Sequence, residues 1–278
     1  MSHEIIKKNE IDAYYSETPD YAVVKTHFHN VHQMILVVQG AAQIGIDEKT
    51  YYVTQDSLVF ISNLEKHAIH VVESPYKRYV ISLKQDFCHM MLKDSPLLSI
   101  LIQRPANFNH VIKLNPDTVQ KLQSVAEDML QEIQQKNPFW KERLSSLISE
   151  ILIRLYRVSS MSFPINDATN AVKIVTDVQS YIVQNSHDEI TLEMMASQHF
   201  VSKYYLSRIF REITGYTFRD YLLLHRLSVA KDLLTHTNKS VTDVCYFSGF
   251  NNINHFIRIF KKHENITPYQ FRKQHKSN

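Results

Sequence analysis

Cysteine, glycine and long apolar runs are scarce in this 278-residue sequence. With 2 Cys, 4 Gly and 8 Pro, it is neither a disulfide-rich secreted scaffold nor a collagen-like or Pro/Gly-rich chain. Cys88 and Cys245 fall in different predicted domains, so no disulfide is expected. No apolar run reaches the roughly 18 residues of a membrane span, and residues 1–4 lack the features of a secretory signal. These absences predict a cytoplasmic protein that does not enter a membrane.

Signatures of catalysis are missing too. The sequence has no nucleophile motif and no Gly-rich phosphate-binding loop. We therefore predict no catalytic residues and no cofactor.

Charge is unevenly divided along the chain. Residues 171–278 hold 14 Lys and Arg against 9 Asp and Glu, whereas residues 1–170 hold 17 against 19. A basic bias confined to one part is typical of a nucleic-acid-binding domain. With 44% hydrophobic residues, the chain is long enough to bury two ordinary cores, so two main domains are expected.

One helical pattern occurs twice near the end of the sequence, at residues 203–215 and 253–265. In both copies apolar residues recur on one helix face, and basic and polar residues occupy the other. The expected buried residues are Leu206, Ile209, Phe210 and Ile213 in the first copy and Phe256, Ile259 and Phe260 in the second. Gly215 and Asn265 end the copies, and both residue types favour the left-handed conformation that closes a helix.

The segments around the two copies match as well. Residues 191–196 and 240–245 each predict a short helix that begins at a hydroxyl residue. A short helix, a turn and a basic helix form a helix-turn-helix. Between the copies, Thr217 precedes a predicted connecting helix over residues 218–235. We therefore expect two helix-turn-helix units in one domain.

Residues 172–276 resemble the DNA-binding domain of the AraC/XylS family of transcription regulators. The residues that carry the resemblance are Ser202, Tyr205, Leu206, Ser207, Arg208, Ile209, Phe210, Gly215, Arg226, Ala230, Leu233, Leu234, Gly249, Phe250, Phe256, Arg258, Phe260, Lys261, Lys262, Thr267, Pro268 and Arg272. The sequence departs from the family pattern at Asn251, His255 and Asn265, all in the second unit. The resemblance implies that one monomer reads two successive major grooves of promoter DNA.

The same resemblance assigns roles to exposed residues of both copies. Those expected to face bases are Tyr204, Ser207 and Arg208 in the first groove and Asn252, Asn254, Ile257 and Arg258 in the second. Those expected to bind phosphate are Lys203, Arg211, Lys261 and Lys262. Two alternatives stay open: Arg208 and Arg258 pair with nearby carboxylates such as Glu212, and Arg226 on the connecting helix is either structural or phosphate-binding.

Short β-strands are predicted in the first 85 residues, which indicates a small β-barrel or jelly roll. The predicted strands are residues 31–38, 42–46, 51–54, 57–61, 68–72 and 78–83. Residues 27–40 and 56–67 are similar to the two cupin motifs, whose metal ligands match His27, His29, Gln33 and His67. Because Gln33 replaces a carboxylate, we predict a small-ligand site without a metal. Alternatively, the barrel serves only structure and dimerisation, with His29, His32 and Tyr51 as half-exposed strand residues.

Two long amphipathic helices are predicted between barrel and repeat, over residues 116–136 and 139–159. The second carries an apolar stripe that requires a partner, and we expect one helix to cover the barrel and the other to form a homodimer interface. The predicted α+β architecture has four parts: a cupin-like β-domain at 1–112, a helical dimerisation region at 113–160, a linker at 161–170 and a DNA-binding domain at 171–278.

The sequence thus predicts a sequence-specific transcription regulator, an activator controlled by a small-molecule effector or by dimerisation. Its expected partners are double-stranded promoter DNA, RNA polymerase and a second copy of the chain. The alternative is a metal-dependent cupin enzyme fused to a DNA-binding module, with His27, His29 and His67 as ligands.

Overall fold

The computed structural model describes residues 10–19, 22–92, 95–104, 108–163 and 170–275. The chain divides into two compact units, the first up to residue 169 and the second from residue 170. Most of the predicted linker, residues 164–169, lies outside the described residues. Cys88 and Cys245 are both buried and free.

The first unit is built on one antiparallel sheet of seven strands. The strands are β1 (Ile11–Thr18), β2 (Val23–His27), β3 (Val31–Ile46), β4 (Lys49–Thr54), β5 (Ser57–Ile61), β6 (His67–Lys84) and β7 (Val111–Lys113). Their order is β1-β6-β3-β5-β7, with β2 also paired to β6 and β4 to β3. Alternate residues of β3 to β6, including Ile35, Ile44 and Val71, enclose one apolar core. The predicted barrel-like β-domain is confirmed.

Two strands are longer than predicted. Residues 31–38 and 42–46 belong to the single strand β3, and residues 68–72 and 78–83 belong to β6. Gly40 and Pro75 look like strand breaks in the sequence, but the strands continue past them through irregular pairing between residues 37 and 42. Strand β7 was not among the predicted strands: it has only 3 residues and pairs with β5.

Four α-helices and a short 3-10 helix (Ser160–Ser162) complete the described part of the first unit: α1 (Gln85–Met91), α2 (Leu98–Ile102), α3 (Pro116–Gln135) and α4 (Trp140–Val158). The two long helices match the prediction to within one residue at each end. Leu122 and Ala126 of α3 and Ile151 of α4 meet Met34 and Leu36 on the outer face of the sheet. Every residue of the apolar stripe of α4, from Leu144 to Leu155, is at most 2% exposed. The stripe is therefore covered within the chain and requires no second copy.

Over residues 170–275 the second unit consists of helices and the turns between them. Its helices are α5 (Asn170–Asn185), α6 (Leu192–Gln198), α7 (Lys203–Thr214), α8 (Phe218–His236), α9 (Val241–Phe247), α10 (Ile253–Glu264) and α11 (Pro268–His275). Thr191, Ser202 and Thr217 cap the N-termini of α6, α7 and α8 with their side-chain oxygens. Gly215 and Asn265 end α7 and α10 at φ values of 78° and 62°. Both predicted helix-turn-helix units, α6–α7 and α9–α10, are present. No helix in the described part of the chain is long and apolar enough to cross a membrane.

Candidate nucleic-acid interface and histidine cluster

Helix α7 presents one basic, polar face to solvent. Leu206, Ile209 and Phe210 are buried at 0–4% exposure, and Ile213 is half-buried. The predicted DNA-facing residues Lys203, Tyr204, Ser207, Arg208 and Arg211 are all exposed. Burial of the apolar stripe fixes the rotation of the helix, so these five side chains share the surface that a groove would meet.

Helix α10 has the same arrangement. Phe256 and Phe260 are fully buried, in a row of ring contacts from Phe250 to Phe271. The predicted DNA-facing residues Asn252, Asn254, Arg258, Lys261 and Lys262 are exposed, whereas Ile257 is half-buried. Ile259, expected inside, is also only half-buried.

Asn252 has a structural role that the sequence analysis did not assign. Its Oδ1 accepts a hydrogen bond from the His255 N–H at 2.9 Å and so caps α10. Ser202 occupies the same position in the first helix-turn-helix unit, where its Oγ accepts a hydrogen bond from the Tyr205 N–H at 3.1 Å. The cap occupies one of the two lone pairs of Oδ1 and fixes the orientation of the side chain. The NH₂ group of Asn252 is therefore its freest part for a contact with DNA.

The basic faces of α7 and α10 differ in their ion pairs. Arg208 lies 3.3 Å from Glu212, one turn along α7, and Lys203 pairs with Glu193 of α6. In α10 the position one turn after Arg258 is Lys262 instead of an acid. Within the described residues no Asp or Glu lies at ion-pair distance from Arg258. The α10 face is consequently the more strongly positive of the two.

Helix α8 connects the two helix-turn-helix units, and at about 1.5 Å per residue its 19 residues span about 28 Å. Arg226 on this helix donates hydrogen bonds to the carbonyl oxygens of Ser186 and Asp188, at 2.9 and 2.7 Å. Of the two roles left open for Arg226, the contacts support the structural one. Lys231 pairs with Glu264 of α10 at 3.0 Å, with side chains only 14% and 9% exposed.

In the first unit, three histidines converge where β2 and β6 pair. His27 lies opposite His67 in the register, and the rings of His27 and His29 lie 4.2 and 4.8 Å from that of His67. One ligand atom from each of the three rings lies within 4.8 Å of the others. The Nδ1 atoms of His27 and His67 donate to the carbonyl oxygens of Lys25 and Glu65, each at 3.0 Å. These bonds direct the Nε2 lone pairs of both rings away from the backbone.

Gln33, the fourth predicted ligand residue, is engaged elsewhere. Its Nε2 donates to Ser82 Oγ at 3.3 Å, across the β3–β6 ladder. His29 and Tyr51 are half-buried, as the alternative without a ligand expected, but His32 is only 1% exposed. The expectation of a half-exposed His32 was wrong, because this residue lies on the sheet face that the helices cover.

A buried ionic cluster next to His67 was not foreseen. Glu65 and Arg104 approach to 3.9 Å with side chains 7% and 6% exposed, and His110 Nδ1 lies 3.7 Å from Glu65. Burial raises the pKa of the Glu65 carboxyl, while Arg104 and the Ser62 N–H lower it. Burial lowers the pKa of His110 to about 4, so its imidazole is neutral near pH 7. In the sequence, only the apolar run before Arg104 could have indicated this buried pair, because it places a charged residue just after a buried helix.

Comparisons with known proteins agree with the division of the chain into two units. Residues 9–152 match the family model of the AraC-like ligand binding domain, and residues 195–274 match a helix-turn-helix domain. The HTH-type transcriptional activator RhaS of Escherichia coli O1:K1 is 22% identical over 246 residues, covering 88% of this chain and 86% of RhaS. RhaS of Escherichia coli O157:H7 is 23% identical over 248 residues, with coverage of 88% and 86%.

Solved structures share the fold. Apo ToxT from Vibrio cholerae aligns with a TM-score of 0.62 at 13% identity, over 96% of this chain and 98% of ToxT. ToxT bound to (E)-4-(8-methylnaphthalen-1-yl)but-3-enoic acid aligns with a TM-score of 0.61 at 13% identity, over 95% and 99%. Because the ligand-binding-domain model alone spans residues 9–152 of 278, more than half of the chain, the protein belongs to the AraC family of transcription regulators.

Proposed function

We propose that the protein activates transcription by binding two half-sites of a promoter with α7 and α10. The observation that carries this proposal is that α7 and α10 both expose a basic face, and that each follows a short helix and a turn in the same arrangement. RhaS, a relative over most of the chain, is named a transcriptional activator. The proposed partners are double-stranded promoter DNA and RNA polymerase, and the proposed site of action is the cytoplasm.

The span of α8 supports reading on one side of the duplex. Its length of about 28 Å is close to the roughly 34 Å between successive major grooves, once side offsets are included. Arg208 and Arg258 are suited to guanine and Asn254 to adenine, because each side chain can form two hydrogen bonds with that base. Arg211, Lys261 and Lys262 are suited to phosphate, which positions the protein without specifying sequence.

Genome-wide mapping of binding sites, combined with deletion of the gene, tests this function. We expect sites upstream of a small set of genes whose transcripts fall on deletion. Transcripts that rose on deletion would contradict activation, and the absence of discrete sites would contradict sequence-specific binding.

We further propose that a small-molecule effector binds at the histidine cluster of His27, His29 and His67. The rest of the barrel core is filled by apolar side chains such as Val37, Ile44 and Val53, each fully buried. The cluster is the polar end of that core, and three imidazoles offer donors and acceptors to an acidic or hydroxylated ligand. ToxT, which shares the fold, has been solved with a carboxylic acid bound.

A metal at the same cluster is the second candidate, and the Nδ1–carbonyl bonds of His27 and His67 favour it. Zn²⁺ or Fe²⁺ accepts three imidazoles, but without a carboxylate the charge of the ion is less compensated. We propose the metal-free regulator and no enzymatic activity. Metal analysis of the purified protein is expected to find less than stoichiometric metal. Stoichiometric zinc or iron, lost in a His27→Ala/His67→Ala variant and kept in the exposed control His187→Ala, would support the enzyme instead.

Homodimerisation is proposed through the outer face of α4. Its inner stripe packs within the chain, whereas Ile153 on the opposite face remains 37% exposed. We expect sedimentation at micromolar concentration to show a dimer that Ile153→Lys weakens. A strict monomer, with and without DNA, would contradict the proposed dimer.

A further inference from the structure

The carbonyl oxygen of Ser186 is a meeting point of three parts of the second unit. Ser186 directly follows α5 and is 6% exposed. Arg226 of α8 donates its Nε–H to this oxygen at 2.9 Å and a second N–H to the Asp188 carbonyl oxygen at 2.7 Å. The segment that leads into the first helix-turn-helix unit is thereby tied to the middle of the connecting helix.

Gly249, in the turn between α9 and α10, lies against the same oxygen. A Cβ at Gly249 would stand 2.2 Å from Ser186 O and 2.7 Å from Arg226 Nε. Both distances are far below van der Waals contact, so a side chain at this position requires the second helix-turn-helix unit to move away from the end of α5 and from α8.

The first helix-turn-helix unit provides an internal control for this interpretation. The Val201 N–H bonds to Ala196 O and the Phe250 N–H bonds to Cys245 O, both at 3.0 Å, so Phe200 and Gly249 occupy equivalent turn positions. Phe200 has a φ of 54° and is 97% exposed. The turn itself therefore accommodates a large side chain. The contact with Ser186 and Arg226, and not only the left-handed backbone, excludes a side chain at Gly249.

We infer that Ser186, Arg226 and Gly249 fix the position of the second helix-turn-helix unit relative to the first. This three-residue contact, the spacing contact, makes Arg226 and Gly249 positioning residues that set the distance between half-sites. The inference rests on the proposed two-site DNA binding. The partly buried Lys231–Glu264 pair holds α10 to α8 and acts in the same direction.

A rigid connection has a measurable consequence on DNA. One inserted base pair moves the second half-site by about 3.4 Å and rotates it by about 35°. Two rigidly joined helix-turn-helix units can then no longer bind both half-sites at once, whereas two loosely joined ones can move to do so.

The test uses the full chain with three duplexes: the selected two-half-site DNA, the same DNA with one inserted base pair, and a single half-site. For the wild type, we expect the insertion to lower affinity to nearly that of the single half-site. For Gly249→Ala and Arg226→Ala, we expect a loss of about tenfold on the two-half-site DNA, no change on the single half-site, and a reduced penalty for the insertion.

Arg226→Ala retains Gly249 and serves if Gly249→Ala fails to fold. Arg219→Ala, which removes the same charge from an exposed position of α8, is the matched control and is expected to keep the wild-type insertion penalty. Variants that keep the wild-type penalty, or that lose single-half-site binding equally, would overturn the spacing contact. A wild type that bound no two-half-site DNA would contradict the proposed function itself.

Discussion

Substitution of Arg258 by Ala is expected to weaken binding to the cognate promoter more than substitution of Arg208. A base contact from Arg contributes about 1–3 kcal/mol of discrimination, roughly five- to 150-fold. Arg208 must give up its Glu212 partner, 3.3 Å away, to make such a contact, whereas Arg258 has Lys262 one turn along the helix. Competition from the Glu212 carboxylate therefore offsets part of the free energy that Arg208 gains from its base, and among the described residues no such competition reduces the contribution of Arg258.

Titration of each variant with cognate duplex and with duplexes mutated in one half-site measures the effect. Lys261→Ala is the matched control, since loss of a phosphate contact weakens all sequences alike and reduces the salt slope by about one. Glu212→Gln is expected to raise affinity, because it frees Arg208. If both Arg variants bound as tightly as the wild type, the assigned DNA-facing surfaces would be wrong.

Substitution of Arg104 by Met is expected to destabilise the first unit by about 3–5 kcal/mol, because it leaves the buried Glu65 carboxylate uncompensated. Arg104 also donates to the carbonyl oxygens of Ile100 and Leu101 at 3.1 and 2.9 Å. Its guanidinium lies 4.5 Å from the centroid of the Phe60 ring. Denaturant unfolding measures the loss.

The loss of unfolding free energy in the Arg104→Met variant, here called its stability deficit, is expected to depend on pH. Burial raises the folded-state pKa of Glu65 above its ordinary value, and loss of the cation raises it further. A raised carboxyl pKa destabilises the folded state as pH rises through it, so the deficit shrinks as pH falls below that pKa. The double variant Glu65→Gln/Arg104→Met is expected to be more stable than Arg104→Met near pH 7.

Arg143→Met is the matched control for the buried pair. Arg143 pairs with Asp128 at 2.7 Å, but both side chains are nearly half exposed. Its loss is expected to cost less than about 1 kcal/mol. An equal, pH-independent loss in the Arg104 and Arg143 variants would contradict the role assigned to the buried pair.

The second unit was predictable because its signals are local. Caps such as Thr217, C-terminal residues such as Gly215 and the apolar spacing of each helix lie within a few residues of the element that they define. The repeat then supplied the arrangement, since two matching helix-turn-helix units in one domain imply two DNA-reading surfaces.

The missed features depend on residues that are far apart in the sequence. Strands β1 and β2 pair with distant parts of β6, and the 16 residues of β3 pass Gly40 because its neighbours pair on both sides. The bonds from Arg226 to the backbone of residues 186 and 188, and the approach of Gly249 to both, have no local signature. Sequence motifs identified the three histidines of the cluster. They did not indicate that Gln33 donates a hydrogen bond to Ser82, which is 49 residues away in the sequence.

The central claim is that one chain reads two half-sites with two different helices, and selection of binding sites from a random duplex pool tests it most directly. We predict a two-part motif with half-site centres about one helical turn apart. Arg208→Ala should relax the preference in one half and Arg258→Ala in the other. A single uninterrupted motif that both variants relax equally would contradict the account.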